Sequence, residues 1–182
     1  MKPKRISSKA VALSPWVSLH ERSYVFDEGG PVETFHFLRP HDYVNVLAIT
    51  ADGKVPLVRQ FRPAIEQFTI ELPGGLVEEG DEIAERALAE LREETGFRAT
   101  EDPIRLPPLF PEVGRLENRL HGFVVLNAAY PEAGWEREAG VEPLLLGLEE
   151  FAATFRSGGL PNCSNVAVVA LAMSLGHLAM AA

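Results

Sequence analysis

Residues 71–97 read ELPGGLVEEGDEIAERALAELREETGF, and they decide how the rest of the chain is interpreted. An apolar strand end and a glycine pair come first. A segment follows in which apolar residues recur at i, i+3, i+4 and i+7, the spacing of one helix face. The residues predicted to pack inward are Ala84, Ala87, Leu88 and Leu91. The stretch therefore predicts a strand, a glycine loop and an amphipathic helix that ends at Gly96 as its C-cap.

Three glutamates share a second face of this helix. Glu90, Glu93 and Glu94 lie at i, i+3 and i+4, so their carboxylates are predicted to converge. Like charges at this spacing repel, and a hard divalent cation bound through oxygen would offset the repulsion. The alternative is a solvated acidic face, which is what most charge runs are. The preceding glycines favour the cation site, because they allow close backbone approach and free a carbonyl for a metal.

The stretch resembles the Nudix box. In that motif Gly is followed after five residues by Glu, and after seven more by Arg-Glu-apolar-any-Glu-Glu-any-Gly-apolar. The positions in register are Gly75, Glu90, Leu91, Glu93, Glu94, Gly96 and Phe97.

Two positions depart from the motif, because Asp81 replaces the family Glu and Ala89 replaces the family Arg. Asp81 is also a good N-cap residue for the helix. The family arginine pairs with acidic residues of the box, so its loss bears on activity more than on fold. Arg86, four residues before Glu90, is a partial substitute.

The resemblance implies a metal-dependent hydrolase that acts on a diphosphate, with Mg²⁺ or Mn²⁺ as cofactor. It implies that Glu90 and Glu94 bind the core ion and that the Gly74 carbonyl completes the shell. Glu93 is implied as a catalytic ligand of a second or third ion. Such ions neutralise phosphate charge and make a water nucleophilic.

The sequence before the box resembles the ADP-sugar branch of the family. Residues 57–63 read LVRQFRP, and Arg59 matches an arginine that contacts the substrate in that branch. Arg59 and Arg62 are either a solvated strand edge or contacts to a diphosphate held at the glycine loop. Glu71 is either a further substrate contact or a structural carboxylate. Arg115 lies in a Gly-Arg-Leu-any-Asn segment that shapes the sugar side of the pocket in the branch.

The resemblance also places a general base and a base-stacking residue. In the branch the base is commonly a glutamate in a later loop, and residues 130–142 are predicted to be that loop. The candidates are Glu136, Glu138 and Glu142, each of which could be a surface carboxylate, and Glu138 is preferred. Trp16 is the candidate for stacking adenine, with a place in the core as its alternative, and Phe26 and Phe37 rank behind it.

Composition limits the class of protein. The net charge of −9 argues against nucleic acid as a partner, and the lone Cys163 excludes an internal disulfide and fits a reducing cytoplasm. Residues 10–13 are too short an apolar run for a secretory signal. Residues 166–182 are apolar but fall short of a membrane span, so a buried or interface helix from about Ser164 to near the end is predicted.

Hydrophobic residues make up 46% of the 182, enough for one packed domain. Strands are predicted within 16–38 and at 43–50, 55–61, 120–128 and 143–148, with a further helix at 149–155. This order predicts an α/β fold with a mixed sheet between helices. The resemblance implies a Nudix α/β/α sandwich over residues 43–182, after an N-terminal β extension, residues 1–42, expected to form a homodimer.

The leading interpretation is a pyrophosphatase that splits a nucleoside diphosphate sugar, with ADP-ribose converted to AMP and ribose 5-phosphate as the first expectation. One alternative is a Nudix hydrolase of another nucleotide, such as GDP-mannose or a dinucleotide. Another is a catalytically impaired Nudix-fold module that binds a nucleotide or a protein. The presence of all three glutamates favours the enzyme, since a silent module has no need of them together. No nucleic acid or membrane partner is expected.

Overall fold

The computed structural model of the chain describes residues 2–180. These divide into two compact units. The first unit is the chain up to Asp42 together with Phe110–Arg119, and the second comprises Tyr43–Leu109 and the chain from Leu120 onward.

The first unit is an antiparallel sheet of three strands in the order β1-β2-β3. The strands are β1 (Lys4–Ser14), β2 (Val17–Val25) and β3 (Val32–Pro40). Two strands were predicted within residues 16–38, and both are present. β1 was missed because nearly all of its residues are exposed, so its sequence carries no apolar alternation for a buried face.

The segment Phe110–Arg119 joins this sheet beside β3. The Leu38 N–H donates to the Arg115 carbonyl at 2.8 Å, and the Glu117 N–H donates to the Leu38 carbonyl at 3.0 Å. Arg22 on β2 forms an ion pair with Glu117 at 2.7 Å. A segment distant in sequence therefore belongs to the N-terminal sheet.

The second unit contains two further sheets of three strands. In the mixed sheet, β4 (Tyr43–Thr50) is parallel to β8 (Leu120–Ala128), which is antiparallel to β7 (Ile104–Arg105). The other sheet is antiparallel, in the order β6-β5-β9, with β5 (Lys54–Arg62), β6 (Gln67–Glu71) and β9 (Val141–Gly147).

The second unit also contains three helices: α1 (Ile83–Thr95), α2 (Leu148–Arg156) and α3 (Cys163–Ser174). On one face of the mixed sheet, Ala87 and Leu91 of α1 pack with Val46 of β4. On the other, Phe151 of α2 and Val168 of α3 join a separate cluster. The run of buried residues in β4 therefore reflects a strand covered on both sides. The predicted α/β/α layering is confirmed.

Helix α1 ends as the sequence predicts but begins differently. Gly96 caps its C-terminus in the left-handed conformation, as predicted, and its N–H bonds to the Arg92 carbonyl. The prediction that Asp81 caps the N-terminus is wrong, since Glu82 is the cap and Asp81 accepts from the Glu78 N–H at 2.8 Å. Ala84 is exposed instead of buried, and Ile83 packs in its place.

The C-terminal helix is shorter than predicted. α3 ends at Ser174, and Gly176 adopts a φ of 79° two residues later. The chain then turns so that Leu178 packs into the core without helical backbone. Within residues 2–180, no helix is long and apolar enough to cross a membrane.

Candidate active site

The glycine loop is an extended segment that pairs back onto β4. The carbonyl of Pro73 accepts from the Val46 N–H and that of Gly75 from the Val44 N–H, each at 2.9 Å. Because carbonyls alternate in direction along an extended chain, the carbonyl of Gly74 points away from β4.

Both glycines of this loop are required by packing within the chain. A Cβ on Gly74 would lie 2.6 Å from Oδ1 of Asn45, and a Cβ on Gly75 would overlap the carboxylate of Glu90. The close approach predicted for a ligand is thus made first by the chain itself.

The three box glutamates differ in environment. Glu90 and Glu94 are each only 5% exposed, whereas the side chain of Glu93 is 51% exposed. The Gly74 N–H donates to Oε2 of Glu94 at 2.9 Å, which ties the helix to the loop. The predicted common patch is therefore two buried carboxylates with a third at the rim.

Burial dominates the electrostatics of the two inner carboxylates. It raises the pKa of Glu94 to about 8; the Gly74 N–H partly opposes this, and Glu90 and Glu138 add to it. Burial also raises the pKa of Glu90. The positive charge of Arg86 opposes this rise, and the negative charges of Glu93 and Glu138 add to it. Without a cation, this site has too little positive charge to keep both carboxylates ionised.

Arg86 supplies the positive charge that Ala89 lacks. Its Nη2 is ion-paired with Oε1 of Glu90, four residues on, and its Nη1 lies 3.5 Å from Oε2 of Glu93. Arg86 therefore contacts two of the box glutamates, as expected of a partial replacement for the family arginine. Ala89 lines the adjoining cavity, where a longer side chain would otherwise project.

The donor chemistry fits a hard divalent ion. Within residues 2–180, no three acidic, histidine or cysteine side chains are already arranged to hold a metal. The oxygen donors and the raised pKa of Glu90 and Glu94 are nevertheless what a cation would satisfy, since its charge favours ionised ligands.

A cavity of about 860 Å³ opens beside these carboxylates. The glycine loop and α1 line one side, and the connection between β8 and β9 lines the other. Of the candidate bases, Glu136 and Glu138 line this cavity. Glu142 lies on β9 in an ion pair with Arg59 at 2.9 Å. The structure thus brings Glu138 to the carboxylates and places Glu142 on the sheet.

Arg59 lies on β5, opposite Glu142 in the antiparallel register. Its guanidinium also stacks over the Phe68 ring, 4.2 Å from the centroid. The predicted substrate arginine is therefore held by two protein contacts on a surface where both partners remain about half exposed.

Glu71 is buried and fully hydrogen-bonded within the protein. Arg62 donates through Nε and Nη2 at 2.7 and 2.8 Å, Thr69 donates at 2.5 Å and Asn162 at 2.9 Å. Burial alone would raise the pKa of Glu71, but these hydrogen bonds together hold it below its usual range. Of the two roles open to Glu71, the structure gives it structural contacts, and it places Arg62 in the same network.

Asn162 and Asn165 are among the residues of this region that the sequence did not predict. Asn165 accepts the Leu72 N–H at 2.9 Å, just before the glycine loop. Both begin a helix about ninety residues after the segment they hold, so only their cap-forming residue type gave a signal.

The remaining candidates lie in the first unit. Trp16 is 60% exposed, so its alternative place in the core is excluded. Phe26 is exposed near Tyr24 and Phe35, while Phe37 stacks on His20 at 5.3 Å. Arg115 is exposed, and its carbonyl pairs with β3.

Comparisons with known proteins agree with the layered fold and the box. The family model of the NUDIX domain matches residues 39–139, more than half of the chain. A crystal structure of an ADP compounds hydrolase has a TM-score of 0.79 at 19% identity, covering 98% of each chain, and so shares the fold.

Curated relatives match over shorter stretches. The ADP-ribose pyrophosphatase of Bacillus subtilis (strain 168) is 48% identical over 56 residues, 31% of this chain and 30% of that protein. The methanol dehydrogenase activator of Bacillus methanolicus is 32% identical over 109 residues, 59% of this chain and 58% of that protein. The chain therefore spans less than two thirds of either relative. With the box in register on α1 and the family model matching residues 39–139, the chain belongs to the Nudix family.

Proposed function

We propose that the protein hydrolyses the diphosphate bond of a nucleoside diphosphate sugar, with ADP-ribose converted to AMP and ribose 5-phosphate as the first substrate. The observation that carries this proposal is the pair of buried carboxylates, Glu90 and Glu94, facing a cavity of about 860 Å³. That volume lies within the range of small-molecule sites, roughly 300–1,000 Å³.

A divalent ion, Mg²⁺ or Mn²⁺, would be held by Glu90, Glu94 and the Gly74 carbonyl, with Glu93 at the rim. Bound there, it supplies charge neutralisation of the diphosphate and acidification of a water. Arg86 keeps Glu90 oriented from the other side of the carboxylate.

The cavity also supplies groups for the substrate and for proton transfer. Arg92 and Arg137 line it and offer planar donors to phosphate oxygens. Glu138 lines it too, and an ionised carboxylate there accepts the proton of the attacking water. Attack on one phosphorus breaks the bridging P–O bond, so that each product leaves as a monophosphate.

The nucleotide-sugar class is supported by the printed activity of the Bacillus subtilis relative, whose matching stretch is 48% identical. The solved neighbour is likewise named for ADP compounds. These names motivate ADP-ribose ahead of GDP-mannose and dinucleotides.

The test is a panel of nucleotide sugars and dinucleotides with Mg²⁺ or Mn²⁺. Released monophosphates are counted as inorganic phosphate after alkaline phosphatase, which does not attack the intact diphosphate. ADP-ribose should be hydrolysed fastest, and Glu94→Gln should abolish release while retaining the circular dichroism spectrum. Hydrolysis of no panel member by the native protein would overturn the proposal.

Binding without turnover is the second candidate. It is favoured by Ala89 in place of the family arginine. Calorimetric titration with ADP-ribose separates the two candidates, since heat of binding without phosphate release supports only this one.

We also infer a homodimer formed through the first unit. Its sheet exposes large apolar side chains, including Val11, Trp16 and Phe35. Exposed apolar groups of this kind mark protein interfaces. Light scattering after size exclusion should give twice the 20.0 kDa chain mass, and a monomer at micromolar concentration would contradict the inference.

A further inference from the structure

The connection between β8 and β9 carries Glu136 and Glu138 into the cavity. Its residues 131–140 are all described, and Trp135 is the one among them that is not exposed. A segment of exposed residues has few contacts to fix it. At its far end, the Val141 N–H donates to the Glu138 carbonyl at 3.3 Å. On the near side, the position of Glu138 depends on what holds Trp135.

The start of this connection is anchored away from the cavity. The Tyr130 hydroxyl lies 3.0 Å from both carboxylate oxygens of Asp52, and Glu132 is ion-paired with Arg98 at 2.9 Å. These contacts fix the chain only as far as residue 132.

Trp135 is bound to the C-terminus of the carboxylate helix. Its Nε1–H donates to the Arg92 carbonyl at 2.9 Å, the same carbonyl that accepts from the Gly96 N–H. Its ring lies against the bare Cα of Gly96, where a Cβ would stand 2.6 Å from the indole Cδ2. The glycine that ends α1 therefore also makes room for the indole.

Trp135 and Glu138 lie between two glycines that have left-handed backbone. Gly134 and Gly140 have φ values of 87° and 85°, and added Cβ atoms at both would meet open space. Between these glycines, Trp135 is the side chain joined to α1, and Glu138 follows three residues later. Glu138 is close enough to act electrostatically on both Glu90 and Glu94.

We propose that Trp135 is a positioning residue that holds Glu138 over the Glu90 and Glu94 carboxylates by binding the Arg92 carbonyl and packing on Gly96. This inference rests on the proposed function, because it treats Glu138 as the group that accepts the proton. Since Glu90, Glu93 and Glu94 lie on the helix that Trp135 binds, one contact keeps the base in register with the carboxylates.

A double-mutant cycle tests whether Trp135 acts through Glu138. Trp135→Ala should lower kcat about 10- to 100-fold with KM changed less than threefold, as expected for a misplaced catalytic group. In the Glu138→Gln background the same substitution should change kcat less than twofold. Trp135→Phe, which keeps the ring but not the N–H, should fall between Trp135→Ala and the native protein. Equal loss in both backgrounds would overturn the proposal.

Glu132→Gln is the matched control, because it breaks an exposed ion pair of the same connection. It should leave kcat within twofold of the native value and show no coupling to Glu138→Gln. Coupling as strong as that of Trp135 would overturn the assignment to Trp135.

Limited trypsin digestion gives a readout that needs no activity. Arg137 lies between the two glycines and is exposed. Trp135→Ala should be cleaved after Arg137 roughly tenfold faster than the native protein, as for a local opening eased by about 1.4 kcal/mol. The melting temperature should change by less than a few degrees.

The two assays separate this inference from the proposed function. If no substrate is hydrolysed, faster cleavage after Arg137 still supports the role of Trp135 in holding the segment. Unchanged cleavage overturns that role, whether or not the protein is a hydrolase.

Discussion

Glu71 and Glu94 are buried to nearly the same degree in the second unit, at 2% and 5% exposure. Their pKa values move in opposite directions, below the usual range for Glu71 and up to about 8 for Glu94. Glu71 accepts hydrogen bonds from Arg62, Thr69 and Asn162, whereas Glu94 has one backbone N–H and a neighbouring carboxylate. Burial alone therefore does not set the direction of the pKa shift, which depends on how many hydrogen-bond donors compensate the buried charge.

The largest predicted effect is the loss of catalytic rate when Glu94 is substituted. Glu94→Gln keeps the size of the side chain and removes its charge, and should lower kcat with Mg²⁺ about 10³-fold, equivalent to several kcal/mol. Thermal stability of the metal-free variant should equal or exceed the native value. A variant that hydrolyses ADP-ribose at more than a tenth of the native rate would contradict the assigned role.

For Glu71 the predicted effect of substitution is a loss of folding stability. Glu71→Ala leaves Arg62 without its buried partner and should lower the free energy of unfolding by about 3 kcal/mol. The matched control is Glu142→Ala, which breaks the exposed ion pair with Arg59, a residue on the same strand as Arg62. This variant should lower the free energy of unfolding by less than about 1 kcal/mol. Urea unfolding measures both, and equal losses would show that burial does not separate the pairs.

The pH dependence of stability distinguishes the two carboxylates further. Glu94 has a raised pKa in the folded state, so its contribution is complete below the unfolded value and is lost as pH rises toward about 8. Metal-free protein should therefore lose roughly 2 kcal/mol through Glu94 between about pH 5 and pH 7. The loss should be smaller in Glu94→Gln, where Glu90 is the remaining carboxylate of the pair with a raised pKa. Glu71 has a lowered pKa, so its contribution is complete above the unfolded value and is lost in acid, as pH falls through the folded one. A flat native profile in EDTA would contradict the account of Glu94.

The smallest predicted effect concerns the arginine that accompanies Glu90. Arg86→Ala removes a group that orients this carboxylate and should weaken Mn²⁺ binding about tenfold. Adding Ala89→Arg should restore most of the affinity, since the new guanidinium lies on the same helix one turn further on. Calorimetric titration measures both, with Arg105→Ala on the exposed β7 strand as control. Tighter binding by Arg86→Ala would show that the guanidinium competes with the ion.

Local spacing was enough to predict the carboxylates of the candidate site that lie on one helix, although not the N-cap of that helix. The box glutamates, the Gly96 cap and the Arg86–Glu90 pair all follow from helix geometry over a few residues. Contacts between distant segments were not predictable in this way. The bond from Asn162 to Glu71 joins residues 91 apart, and strand β1 has no buried face to mark it.

The polar start of α3 has a consequence for how the chain is made. Asn162, Ser164 and Asn165 contact Glu71, Asn45 and the Leu72 N–H, all of which emerge from the ribosome far earlier. Until about residue 165 has been synthesised, Glu71 and the Leu72 N–H before the glycine loop each lack a buried polar partner, and so does Asn45 on β4. Contacts of such long sequence separation slow folding, so we expect the carboxylate site to be completed late, after release of most of the chain.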